Sequence, residues 1–108
     1  MSEPRARITH ELKIWPEYFN EVRGGRMKFQ LRRNDRDYRV GDELLLKEWD
    51  PTVCYGHRGE ACEPHYTSRE VKARVDYLMT AADVAGFGYR GISPIDRGYV
   101  IMSISLIS

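Results

Sequence analysis

Positions 8, 10, 12 and 14 (Ile8, His10, Leu12, Ile14) alternate with polar Thr9, Glu11 and Lys13, the period of a strand with one buried face. Pro16 and Glu17 then suit a first helical turn, apolar residues follow at 15, 18, 19 and 22, and Gly24-Gly25 closes the segment, so 15–25 reads as one short amphipathic helix. Strand character returns over 26–33, with Phe29 and Leu31 facing one way and Lys28, Gln30 and Arg32 the other. Asn34, Asp35 and Asp37 supply turn chemistry, Val40-Gly41-Asp42 a second tight turn, and 43–49 another strand ended by Asp50-Pro51. Residues 52–68 read as a long glycine-punctuated loop. Val71, Ala73, Val75 and Tyr77 alternate over 69–79; glycines and Pro94 break up 80–97; residues 99–107 form a last apolar strand. Five short strands around one or two short helices make a mostly β, α+β domain, a small barrel or strongly bent sheet.

Composition narrows this picture without changing it. A chain of 108 residues holds one domain, expected over 8–108 behind a disordered tail at 1–7, and buries roughly two thirds of its accessible surface. Seventeen Lys and Arg against sixteen Asp and Glu leave a net charge of +1, so any electrostatic partner site is local. No apolar run is long enough for a bilayer and two cysteines are too few for a disulfide scaffold, which together predict a cytoplasmic protein with no membrane partner.

Within that neutral total the charge is uneven. Between 23 and 39 stand Arg23, Arg26, Lys28, Arg32, Arg33, Arg36 and Arg39 against Asp35 and Asp37. Arginine matches phosphate geometry and stacks on bases, so this segment with Trp15, Tyr38 and Trp49 is a candidate surface for a single strand or a nucleotide. The alternative is a solvated hairpin whose arginines pair with Asp35, Asp37, Asp42 and Glu43, with both tryptophans closing a core. His10, on the apolar side of its strand, reads as a hydrogen-bonded structural histidine.

The loop holds a second constellation. Cys54, His57, Cys62 and His65 form C-x2-H-x4-C-x2-H, in which Gly56 and Pro64 suit the tight turns that would aim two thiolates and two imidazoles at one tetrahedral zinc. Such a zinc would be structural, since four protein ligands leave no open position; a Cys54 to Cys62 disulfide and unligated exposed side chains are the other readings.

The stretches Leu12-Lys13-Ile14-Trp15-Pro16-Glu17-Tyr18-Phe19 and Gly25-Arg26-Met27-Lys28-Phe29-Gln30-Leu31-Arg32, continued in Val40-Gly41-Asp42, Glu48-Trp49-Asp50-Pro51 and Gly98-Tyr99-Val100, resemble the ASCH domain, a PUA-like β-barrel found in bacteria and their phages. The resemblance implies a cleft beside the helix that holds RNA or a nucleotide, with Trp15, Arg26, Lys28, Gln30, Arg32, Arg33, Tyr38 and Trp49 as its candidate residues. The superfamily's cleft motif is G-x-K-x-x-E-x-R; Gly25 and Arg32 fit it, while Met27 stands at the lysine and Gln30 at the glutamate. Some small relatives are amidohydrolases acting on N4-acetylcytidine through a lysine and a threonine that align with Met27 and Gln30. A thioether is no substitute for an amine nucleophile, so the expectation is binding without catalysis and no catalytic residue. A host protein gripped by the 52–68 loop is a further possible partner.

Overall fold

The computed structural model describes residues 6–51 and 63–107. Residues 1–5 of the expected tail and most of the Cys/His loop, Cys54, His57 and Cys62 included, lie outside the described residues. In chain order the elements are β1 (Thr9–Ile14), α1 (Pro16–Arg23), β2 (Phe29–Arg33), β3 (Glu43–Asp50), β4 (His65–Thr80), α2 (Ala81–Val84), two 3-10 turns (Ala85–Phe87 and Tyr89–Gly91) and β5 (Tyr99–Ile107). No described helix is long and apolar enough to cross a membrane.

The strands form one curled sheet of order β1-β3-β4-β5-β2, parallel between β1 and β3 and antiparallel elsewhere. Both β1 and β2 are therefore edges, and they face each other across the open side of the curl. The core lies inside it: Leu12 and Ile14 of β1, Leu44 and Leu46 of β3, Ala73 and Val75 of β4 and Val100, Met102 and Ile104 of β5, plugged by Phe19 and Val22 of α1.

Local chemistry sets the helix ends. Proline at the first helical position lacks only an N–H that would be unsatisfied there, and Glu17 favours the N-terminal dipole. At the other end Gly25 takes φ +76°, and the N–H groups of Arg26 and Met27 both donate to the Glu21 carbonyl at 3.0 Å. That left-handed residue, costly for any side chain, turns the chain directly into β2.

Two bulges reshape β4. Its ladder to β3 shifts register between Lys47 and Trp49, where Ser68 takes φ +76°, and its ladder to β5 shifts between Val75 and Tyr77. The second shift explains why Tyr77, expected to alternate inward with Val75, is 63% exposed: one extra residue flips the strand face. The first extends β4 back to His65 through the pairs Asp50 with His65 and Trp49 with Tyr66, so the strand starts inside the segment read as a loop ending at 68.

That first bulge also builds a clamp. Glu48, 2% exposed, accepts from Arg69 Nη2 at 2.6 Å, Arg69 Nε at 2.8 Å and Thr67 Oγ1 at 2.5 Å. Arg69 in turn donates to Asn20 Oδ1 at 3.2 Å and lies 4.7 Å over the Phe19 ring, tying α1 to the sheet. The hydrogen bonds from Arg69 hold the Glu48 carboxyl below the usual carboxylate range, against the opposing effect of burial.

Candidate functional site

Two clefts occupy the open side of the curl, and they share Lys13 and Arg32. The first, of about 510 Å³, is mostly apolar and is formed by Trp15, Tyr18, Met27, Phe29 and Leu31 around Gln30. The second, of about 560 Å³, gathers Lys13, Arg32, Arg33, Arg36 and Lys47 against Glu11 and Asp35, with Tyr38 and Tyr66 in its walls.

The strand between them inverts the usual preference. On β2 the amide of Gln30 is buried at 4% exposure and Arg32 is half-buried, while Phe29 and Leu31 are 49% and 50% exposed. Alternation is as the sequence predicts, yet the polar side chains are the more buried ones, and at this sheet edge residues of both faces border the open cleft. Large exposed apolar side chains grouped in a concavity mark a binding surface more than a folding requirement.

Arg32 is the centre of the arrangement. Its Nε donates to Gln30 Oε1 at 3.1 Å, and among the described residues no carboxylate lies within ion-pair distance. Burial pulls the guanidinium below the usual arginine value; Arg36 pushes the same way, Tyr38 and Asp35 against it. A partly desolvated cation with no carboxylate in ion-pair contact among the described residues favours an anion arriving from outside.

The cleft walls are held from behind. Tyr38 is buried, its hydroxyl raised above the ordinary tyrosine range chiefly by that burial, and its ring meets His10 edge-on at 4.8 Å between centroids. His10 Nε2 bonds Asp42 Oδ2 at 2.9 Å, and Asp42 also accepts from the backbone N–H groups of Ile8 and Arg39 at 3.3 and 3.1 Å. This structural role for His10 matches the reading from its strand position.

Of the candidate residues, Trp15, Gln30 and Arg32 meet at the apolar cleft, and Arg32, Arg33 and Tyr38 at the basic one. Three stand outside both. Arg26 folds back on α1, its Nε 2.7 Å from Glu21 Oε2 and its Nη2 3.2 Å from the Asn20 carbonyl. Lys28, just ahead of β2, lines a separate cleft with Val22 and Ile104, although its parity matches that of Gln30 and Arg32. Trp49 lies beyond the basic cleft's lining, with Lys13 Nζ 4.5 Å from its ring centroid.

Sequence reasoning missed Lys13, Lys47 and Tyr66. Lys13 and Lys47 are direct partners in the parallel β1–β3 ladder, and each ammonium also approaches Tyr66, at 5.9 and 5.1 Å. Like charges side by side repel, an arrangement that aromatic faces and a bound anion both relieve. No signal in the sequence pairs positions 13 and 47. Of the four residues read as zinc ligands only His65 is described; it opens β4, with Nδ1 2.9 Å from the Glu63 carbonyl. Among the described residues no group of three or more His, Cys, Asp and Glu is placed to hold a metal.

A curled, incompletely closed sheet with a bipartite apolar and cationic cleft at its seam is thus the class of domain. The chain belongs to the family described as "Domain of unknown function (DUF3850)", whose model matches residues 9–104. It is 40% identical over 74 residues to the "Uncharacterized 12.9 kDa protein in GpA 3'region" of Escherichia phage P2, an alignment covering 68% of this chain and spanning 57% of the phage protein's length. Among solved structures it is similar to that of hypothetical protein PH0355, with a TM-score of 0.53 and 14% identity over 92% of this chain and 99% of that one. At that identity the likeness concerns the fold alone.

Proposed function

We propose that this domain is an RNA- or nucleotide-binding module of the PUA-like, ASCH type, which takes a flat base into the apolar cleft and phosphate into the basic one without turnover. The observation that carries the reading is Arg32: half-buried, without a carboxylate partner among the described residues, and common to both clefts. Rings of Trp15 and Tyr18 offer stacking faces, and Lys13, Arg33, Arg36 and Lys47 supply the charge. The amidohydrolase reading has less support, because Met27 occupies the lysine position in the cleft wall and Lys28 opens onto a different concavity.

Affinity for short single strands should fall as salt rises, with a log–log slope of about −0.7 for each phosphate neutralised. Arg32→Ala should weaken binding by about tenfold or more, the size of one lost charge-assisted contact. Fluorescence anisotropy across a salt series checks both; a flat salt response with unchanged Arg32→Ala affinity would refute the assignment.

A further inference from the structure

Resting on that nucleotide-binding reading, we infer that Gln30 and Arg32 together read the edge of one base, and that the base preferred is uracil or thymine, the pyrimidine-2,4-diones. The amide of Gln30 cannot flip. Its Nε2 donates to the Phe29 carbonyl at 3.2 Å, which can only accept, and its Oε1 accepts from Arg32 Nε at 3.1 Å, which can only donate. Each group has used one of its two bonding positions, so among the described residues one N–H and one lone pair remain on a side chain that is 4% exposed and lines the apolar cleft. A buried amide with half its capacity unfilled is costly unless a ligand completes it.

Connectivity then sets the order of what is offered. Reading across the pair gives donor (Gln30 Nε2), acceptor (Gln30 Oε1), donor (the remaining N–H groups of the Arg32 guanidinium). The edge of uracil or thymine presents acceptor O4, donor N3–H and acceptor O2, the complement at all three positions. Cytosine presents N4–H donor, N3 acceptor and O2 acceptor, so its N3 lone pair meets that of Oε1, and its amino group meets another donor in either sense. Guanine matches two positions and clashes at the third. The neighbouring apolar walls of Trp15, Tyr18, Met27, Phe29 and Leu31 are indifferent to base identity and leave discrimination to this pair.

The test measures anisotropy of short homo-oligomers of U, dT, C and dC with the full chain at one low salt concentration. U and dT should each bind about tenfold or more tighter than C and dC, the consequence of setting one acceptor against another in a desolvated site. Preference for U over dT would assign the ligand to RNA, and equal binding would assign recognition to the base edge alone; both outcomes support the inference. Equal binding of U and C overturns it while leaving nucleic-acid binding intact, whereas no binding of any strand overturns the underlying reading as well. Gln30→Glu replaces the first donor with an acceptor and gives up the bond to the Phe29 carbonyl while keeping Arg32 as a partner; with the fold verified by circular dichroism, the U over C ratio should fall to within about twofold. A persistent U preference in that folded variant would equally sink the inference.

Discussion

Asp42→Ala should lower stability by about 3 kcal/mol, the cost of removing one partner from a buried, hydrogen-bonded polar group. The carboxylate is 2% exposed and accepts from the His10 ring and from the N–H groups of Ile8 and Arg39. It therefore joins the start of β1 to the β2–β3 connection, and truncation strands donors on both. Tyr38 stands edge-on to the His10 ring and walls the basic cleft, so oligonucleotide affinity should fall with stability. Asp42→Asn keeps one acceptor and should lose about half as much. Urea unfolding followed by circular dichroism measures the change; a loss below about 1 kcal/mol for the alanine variant would mean that water replaces the carboxylate at little cost.

Acid should unfold the protein partly through Glu48, and Glu48→Gln should blunt that response. Arg69 holds the Glu48 carboxyl below its ordinary range, so the folded state binds that proton less readily than the unfolded chain. For a depressed carboxylate the stabilisation is complete above the unfolded pKa, about 4.3 for glutamate, and drains away as pH falls through the lower folded value. Glu48→Gln should cost about 2 kcal/mol at neutral pH, the scale of lost charge-assisted hydrogen bonds, with a smaller penalty as pH drops below 4. Asp76, lowered by hydrogen bonds from Ser105 and Arg74, works in the same sense, so the acid limb is shortened and not abolished. Unfolding midpoints between pH 3 and 7 for both proteins test this; parallel curves would assign the acid sensitivity elsewhere.

Both variants act on residues whose importance the sequence only partly reveals. Asp42 reads as a turn residue and Glu48 as one polar position in a strand; neither announces a buried role. Each is buried because a distant segment comes to it, β1 in one case and the β4 bulge at Ser68 in the other. The candidate site divides the same way. Arg32, Gln30 and Trp15 were legible from local pattern and resemblance, whereas Arg26 and Lys28 carry the same charge and face elsewhere. Lys13, Lys47 and Tyr66 enter the site only through the pairing of β1 with β3 and β3 with β4.

What the sequence determined by itself is what depends on neighbours along the chain. The two-residue period places His10, Leu12 and Ile14 inside, the glycine pair stops α1, and β5 runs over Tyr99–Ile107 as its apolar run predicts. Tertiary structure decided which strands became the free edges, which face of β2 turned inward, and where β4 bulges. Side-chain alternation follows from backbone geometry at each residue, but strand partners and register are set by burial summed over the whole sheet. The cleft belongs to that second class, because it exists only where two strands consecutive in the chain end at opposite edges of the sheet and stop short of pairing.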